Sequence, residues 1–398
     1  MDPVVWTYLA DWLHILVRWL HVGAAIAWVG ASFYFIALDR SLRPPAGEER
    51  PLIGGEAWEI HGGGFYRIEK FKVAPATLPD ALRWFKWEAY LTWLSGFALL
   101  VLLYYLDAKT YLIDPLVAPL EPWQAVAASA LLLVVGWLAY DQLSRRLEAR
   151  QRALAAILCI LIALVAWGSS QIFSARAAYI QVGALLGTWM AANVFFVIIP
   201  GQRELVAAAA AGRSPDAAPG LRGKQRSVHN NYLTLPVLFA MISQHFPLTY
   251  GSDQRWAVLL ALMAAGAMVQ HLLNLHHDGR TNVPLVAGAF AIVVLVAFAL
   301  APIQVTGAAL TAADFPAVSA VVTQRCVVCH SAAPSYPGIL AAPKGVMFDT
   351  AQQMQAESRR MYQMAVVSKL MPLNNATGMT AGERDLISRW VRSGAPIP

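Results

Sequence analysis

The sequence predicts an all-α protein, in which a polytopic membrane bundle of about eight transmembrane helices precedes a small helical domain at the C-terminus. Hydrophobic residues make up 58% of the 398 residues and charged residues only 14%, whereas a soluble domain carries about a quarter charged residues. Apolar stretches of roughly 20 residues, the length that crosses a bilayer as a helix, recur along the chain. The last part of the chain is short and more polar, which indicates a separate domain outside the bilayer.

The predicted spans follow one another with short connections, except after the first and the fifth. The first stretch is too long for a cleaved signal peptide, no basic residues precede it, and no small-residue cleavage site follows it. The spans are predicted at about 13–36, 89–107, 122–143, 153–172, 177–199, 229–248, 255–276 and 283–303.

The basic residues predict the topology. They cluster in the connections after spans one, three, five and seven, while the opposite connections contain little more than Lys109, Arg176 and Arg255. Such an asymmetry marks the cytoplasmic side, so we expect a multi-pass protein with both termini on the periplasmic side of a bacterial inner membrane. The net charge of +6 is then a topology signal. It indicates a lipid bilayer and no nucleic acid as partner.

Three regions are predicted: a transmembrane domain (1–304), a linker of small residues (305–314) and an exported domain (315–398). In the exported domain, the pair Thr380 and Glu383 predicts a capping box at the start of the last helix. Helical spacing places the apolar residues of its first and last helices on one face each. These residues are Phe315, Val318, Val321 and Val322, and Leu386, Ile387, Trp390 and Val391.

The exported domain contains the motif CVVCH, residues 326–330. C-x-x-C-H is the attachment signal for a c-type haem: Cys326 and Cys329 bond its vinyl groups, and His330 reaches the iron. The alternatives are a disulfide and a zinc site. Zinc requires four ligands, no second pair follows, and a redox C-x-x-C does not require the adjacent histidine. The motif therefore favours covalent haem c.

The second axial ligand of such a haem is often a methionine. Met371, in the stretch KLMPL, is the predicted ligand, so the metal ligands are His330 and Met371; Met379 is the second candidate. The domain resembles a small class I cytochrome c, in which a Met-Pro pair before the last helix commonly supplies this ligand. Because this haem is attached outside the cytoplasmic membrane, the motif agrees with an exported C-terminus.

Histidines in or near the spans are candidates for binding a haem b. Ionisable residues at membrane depth are costly and usually functional, and imidazoles from facing helices suit iron. A buried histidine hydrogen-bonded between helices is the alternative for each. Electrons from a substrate oxidised on the cytoplasmic side would have to cross roughly 30 Å of hydrocarbon, so either a second redox centre lies in the membrane or the substrate site is near the outer face. The candidates are His14, His21, His245 and His271.

Two polar motifs are candidates for substrate chemistry. HGGGFY, beginning at His61, combines a titratable ring with glycines whose backbone could approach an anion; a flexible interfacial turn is the alternative. HNNY, beginning at His229, opens the sixth span. Its amides could cap the helix or bind a planar heterocycle rich in donors and acceptors.

The stretches WLHVGAAIAWVGASFYFIALD, EIHGGGFY and VHNNYLTLPVLF, together with the CVVCH domain, resemble the membrane-bound urate hydroxylase family over essentially the whole chain. This resemblance implies oxidation of urate to 5-hydroxyisourate in purine degradation, with water as the oxygen source. Electrons would leave through haem c to a respiratory acceptor such as a soluble cytochrome c or a terminal oxidase.

On this hypothesis His61 and the glycine backbone, with Asn230 and Asn231, hold the edges of urate, and His229 or His61 serves as general base. The alternatives are a quinol–cytochrome c electron relay without urate chemistry, and a transporter or assembly factor whose cytochrome is a sensor. The residues expected in the substrate site are His61, Gly63, Tyr66, His229, Asn230 and Asn231.

Overall fold

The computed structural model describes residues 3–45, 51–75, 77–301 and 308–398. They form a helical bundle, a β-hairpin beside one end of the bundle, and a helical C-terminal domain packed on the other end. The first residues of the predicted linker, 305–307, and the end of the last predicted span lie outside the described residues.

A long helix lies at each of the eight predicted spans. Apolar runs form helices here because a helix pairs every backbone N–H and C=O group within the segment, where no water is available to do so. Among the described residues, six helical segments have the length and composition to cross a bilayer; α11 is shorter, and α8 is more polar. The bundle contains α1 (Pro3–Ser41), α2 (Trp87–Leu100), the short α3 (Ala108–Tyr111), α4 (Pro122–Arg146), α5 (Gln151–Ile172), α6 (Ala175–Asn193), α7 (Ile199–Ala210), α8 (Ala217–Ile242), the short α9 (Pro247–Tyr250), α10 (Arg255–His277) and α11 (Val283–Ala299).

Helix α6 lies at the centre of the bundle. Ser174 caps its first turn by accepting a hydrogen bond from the Ala177 N–H, and most of its side chains are buried between α4, α5 and α8. A π-helical segment, Val194–Ile198, joins α6 to α7. Such π segments frequently occur at functional sites, and this one lies beside the cavity described below.

Helix α8 differs from the predicted sixth span. It begins at Ala217 rather than near 229, because Asp216 caps its first turn and its basic first half packs on α7. A Cβ added to Gly201 of α7 would lie 2.9 Å from the carbonyl oxygen of Pro219, so the two backbones are in close contact. The helix ends at Ile242 and a 3₁₀ turn follows it, Ser243–His245.

The prediction of a purely helical chain is wrong in the connection after α1. Here β1 (Ile53–His61) and β2 (Gly64–Phe71) pair antiparallel, with His61 opposite Gly64. Gly62 and Gly63 have φ of 55° and 81°, the conformation that a tight two-residue hairpin turn requires and that glycine adopts without steric cost. The glycines therefore form a β-turn, and the aromatic residues flanking them favour strands.

The C-terminal domain contains α12 (Phe315–Val322), α13 (Ala351–Ala356), α14 (Ser358–Met361) and α15 (Ala381–Arg392). The capping box predicted for the last helix is confirmed, because Thr380 and Glu383 exchange side chain–backbone hydrogen bonds. The predicted apolar faces are also confirmed: Phe315 and Trp390 pack 6.0 Å apart between ring centroids, so α12 and α15 are joined through one core.

Close packing of α4 on α6 yields a prediction about stability. A Cβ added to Gly136 would lie 2.4 Å from Cδ1 of the buried Leu185, whereas nothing lies within 4 Å of a Cβ added to Gly168 on α5. We expect Gly136→Val to destabilise the folded protein by about 1–3 kcal/mol through overpacking, and Gly168→Val to leave its stability unchanged. Thermal midpoints of the detergent-solubilised variants check this; equal midpoints would contradict it.

Candidate active site

A buried network of polar side chains joins α4, α6 and α8. The Tyr140 hydroxyl lies 2.8 Å from Nδ1 of His229 and accepts a hydrogen bond from Nδ2 of Asn193 at 2.8 Å. The same Asn193 amide donates to Oδ1 of Asn230 at 2.9 Å, and Nδ2 of Asn230 donates to the Met190 carbonyl. With Nδ1 of His229 engaged by Tyr140, Nε2 is the nitrogen left to exchange a proton with a substrate.

The Tyr140 ring is held from both sides. It stacks on Trp189 with a centroid distance of 4.5 Å and an interplanar angle of 13°, and the Arg226 guanidinium lies 4.9 Å from its centroid. Both Tyr140 and Trp189 are fully buried. This packing leaves the hydroxyl one position, which fixes the orientation of His229.

An ion pair connects this network to α4. Nη2 of Arg226 donates to Oδ1 of Asp141 at 2.8 Å, and Nε of Arg145 donates to Oδ2 of the same carboxylate at 2.7 Å. Arg226 is only 2% exposed. A buried charge persists only when it is paired and hydrogen-bonded, so Asp141 allows a guanidinium to lie inside the bundle one helical turn before His229.

A cavity of about 270 Å³ opens beside Arg226, between α4, α7 and α8. Three of its lining residues carry a buried side-chain atom with no hydrogen-bond partner in the described part of the chain: Oγ of Ser144, Nε2 of Gln225 and Nη1 of Arg226. The lining consists of Ser144, Arg145, Glu148, Phe196, Val197, Pro200, Gly201, Glu204, Pro219, Arg222, Gln225 and Arg226.

The HNNY motif divides between two faces of α8. His229 and Asn230 face α4 and α6, whereas the two residues after them face α10. There Oδ1 of Asn231 accepts from Nδ2 of Asn274 at 2.7 Å, and the Tyr232 hydroxyl lies 2.6 Å from Nδ1 of His271. The two adjacent asparagines therefore have different partners, and His271 has a tyrosine partner as His229 does.

The predicted substrate residues of the first connection lie elsewhere. His61, Gly63 and Tyr66 are exposed at the tip of the β-hairpin, which packs beside the end of α1 through the hydrogen bond from Tyr34 to Glu59 and a backbone bridge between Arg43 and Glu56. The structure brings these three residues together on one element and His229 and Asn230 together on others.

The histidines predicted to bind haem b are dispersed. His14 and His21 share the partly buried face of α1, as their spacing predicts, and Nδ1 of His21 lies 3.0 Å from the Thr92 carbonyl and 3.1 Å from the Ser95 hydroxyl. An anchored Nδ1 is typical of a histidine whose other nitrogen binds a metal. His245 is exposed at the far end of α8.

The CVVCH motif of the C-terminal domain fits a covalently attached haem. Cys326 and Cys329 are free thiols, and burial raises the pKa of the Cys326 thiol to about 12. Nδ1 of His330 lies 3.0 Å from the Val346 carbonyl, which leaves Nε2 for iron. Met371 packs half-buried against the apolar cluster that includes Cys326, whereas Met379 is buried within that cluster.

The segment that carries Met371 docks on the bundle. Nδ2 of Asn374 donates to the Ile113 carbonyl at 3.0 Å, Lys369 pairs with Asp253 at 3.1 Å, and Leu370 packs against the bundle core. The connections it touches, after α2 and after α8, are those that the basic residues assign to the periplasmic side. The C-terminal domain and these connections therefore lie at one end of the bundle.

Sequence reasoning missed the partners of His229, namely Tyr140, Asp141, Asn193 and Arg226. One signal could have found some of them: Tyr140 and Asp141 interrupt the end of one apolar span and Asn193 interrupts another, and polar residues at membrane depth are usually functional.

The long apolar helices, which are compatible with crossing a membrane, and the buried polar network define a helical bundle protein with an internal polar site. Comparison with known families matches residues 7–301 to the family described as Urate oxidase N-terminal, and the chain belongs to this family. Membership gives the protein a urate-related oxidoreductase function. The match ends before the CVVCH domain. Searches of curated proteins and of solved structures found no match.

The docked segment yields a prediction about the interface. A Cβ added to Gly251 would lie 1.7 Å from the carbonyl oxygen of Ser368, whereas nothing lies within 4 Å of one added to Gly382 of α15. We expect Gly251→Ala to separate the C-terminal domain from the bundle and to speed amide hydrogen exchange in residues 368–375. Gly382→Ala is the control. Unchanged amide hydrogen exchange in Gly251→Ala would show that the interface does not depend on the close contact between Gly251 and Ser368.

Proposed function

We propose that this protein oxidises urate to 5-hydroxyisourate inside its membrane domain and passes the electrons to haem c in its C-terminal domain. The reaction balances as urate plus water giving 5-hydroxyisourate, two protons and two electrons. The observation that carries the proposal is the buried network of His229, Tyr140, Asn193 and Asn230, which lies within the part of the chain that matches the urate oxidase family.

In this proposal His229 is the general base. Imidazole exchanges protons near neutral pH, and positioned proton transfer contributes typically 10²–10⁴-fold to rate. Nε2 of His229 takes a proton from urate or from the attacking water, while Tyr140 holds the opposite nitrogen. Asn193 and Asn230 fix the hydroxyl and the helix spacing, so the ring does not have to reorient during turnover.

Haem c would be held by Cys326, Cys329, His330 and Met371. When bound, it accepts one electron at a time and passes it to a respiratory acceptor. Val346 orients His330 through its carbonyl, and Nη1 of Arg384 donates to the Met371 carbonyl at 2.8 Å, so both ligands lie on positioned backbone.

The network and the docked domain lie at opposite ends of α4. Tyr140 is 18 residues after Pro122, where the helix begins at the docked end, and at 1.5 Å per residue this is roughly 27 Å. We therefore also propose an electron carrier between the network at Tyr140 and the docked C-terminal domain. His14 and His21 on α1, with His245 and His271, are the residues proposed to bind a haem b there.

The first test is an anaerobic visible spectrum of the purified protein before and after urate is added. We expect the c-type α-band to appear with urate alone, because water supplies the oxygen and haem c the oxidising equivalents. A b-type band appearing with it would reveal the membrane haem. A spectrum that stays oxidised with urate but is reduced by a quinol would favour the quinol–cytochrome relay and reject the proposal.

Substitution of the base gives a second test. We expect His229→Gln to lower kcat by about 10²–10⁴-fold. Tyr140→Phe should lower kcat less, because the imidazole of His229 remains and only its Nδ1 loses a hydrogen-bond partner. His61→Gln is the matched control, since His61 is exposed on the hairpin. A fully active His229→Gln protein would show that His229 is not the general base. An inactive His61→Gln protein would assign that role to the hairpin.

A further inference from the structure

Three residues that line the cavity beside Arg226 carry side-chain donors for which the described part of the chain shows no hydrogen-bond partner. Nη1 of Arg226 and Nε2 of Gln225 can only donate, and the Ser144 hydroxyl can donate. All three atoms are buried without a partner. Buried polar groups in folded proteins are almost always paired, so three unpaired donors at one cavity indicate a ligand rich in acceptors.

The two terminal nitrogens of the Arg226 guanidinium have different surroundings. Nη2 binds Asp141, whereas Nη1 has no hydrogen-bond partner among the described residues, and the Arg226 side chain lines the cavity. Arg226 is 2% exposed, which makes its charge effective because little water screens it. The other arginines of the lining, Arg145 and Arg222, are exposed at the rim with two glutamates.

The π-helical segment after α6 supplies a flat wall. It includes Phe196 and Val197, which both line the cavity. Phe196 stacks against Trp137 at 6.0 Å and 26°, and it is 57% exposed. An aromatic face beside buried donors suits a planar heterocycle, whose ring stacks while its edge accepts hydrogen bonds.

The cavity is adjacent to the proposed base. Arg226 lines the cavity and also covers the Tyr140 ring, whose hydroxyl reaches His229. Arg226 and His229 are three residues apart on α8, which places them on neighbouring positions of one helix face. A volume of about 270 Å³ is near the lower end of small-molecule sites, about 300–1,000 Å³.

We infer that this cavity is the urate subsite. Ser144, Gln225 and Arg226 bind the carbonyl-rich edge of the planar monoanion, and Phe196 packs against its ring. The inference rests on the proposed function and assigns its substrate contacts to residues outside the HNNY and HGGGFY motifs. It also places substrate entry at the cytoplasmic end of the bundle, where Arg145 and Arg222 lie.

Gln225→Leu and Ser144→Ala test the inference because each removes, from a residue that lines the cavity, a donor without a hydrogen-bond partner among the described residues. We expect each variant to raise KM for urate about ten-fold, the loss of roughly one hydrogen bond to a charged ligand, with kcat and thermal midpoint nearly unchanged. Arg226→Lys keeps a charge beside Asp141 and should raise KM further. Equilibrium dialysis with labelled urate, under anaerobic conditions, measures binding independently of turnover.

Two matched controls remove the same chemical groups elsewhere. Ser388→Ala deletes a buried, unpaired hydroxyl in the C-terminal domain, and Gln202→Leu deletes an exposed amide on α7; neither should change KM. If the wild type oxidises urate and Gln225→Leu keeps its KM, the inference alone is overturned. Urate binding without oxidation, lost in Gln225→Leu, would support the subsite and overturn the proposed function. A wild type that does not bind urate would overturn both.

Discussion

The pairing of Asp141 with Arg226 is the interaction on which the rest of the site depends. A guanidinium inside a helical bundle is tolerated only beside a counter-charge, and Asp141 supplies it from α4 at 2.8 Å. The pair joins α8 to α4, holds the Arg226 guanidinium over the Tyr140 ring and leaves its Nη1 without a partner among the described residues. In the proposed function the same ion pair therefore supports the orientation of His229 and supplies positive charge for the anion.

Helix α6 makes that arrangement possible. Trp189 supports one face of the Tyr140 ring, and Asn193, one turn later, binds both the Tyr140 hydroxyl and Asn230. After Asn193 the helix widens into its π segment, which directs Phe196 toward the cavity. The central helix thus holds the Tyr140 ring on one turn and forms a wall of the cavity on the next, so the proposed base and the proposed substrate cavity share one support.

The sequence predicted those features of the fold that depend on residues near one another in the chain. Apolar runs located the long helices, and the capping box at Thr380 located α15, because backbone satisfaction and helix capping involve neighbouring residues. The hairpin was missed because its glycines suggest a loop, and only pairing of the flanking strands distinguishes a turn. The partners of His229 were missed because Tyr140 and Asn193 lie 89 and 36 residues away in the chain, and helix packing alone brings them together.

The cavity and the C-terminal domain lie at opposite ends of the bundle. The cavity and His229 lie near the ends of α4 and α7 that carry the arginines, and the C-terminal domain is docked at the other end by the segment that carries Met371. In the proposed function urate enters at one end of the bundle and electrons leave at the other, which would separate proton chemistry from electron delivery. Docking through that same segment means that the edge of the C-terminal domain bearing Met371 faces the bundle, which is the side from which electrons arrive in the proposed function.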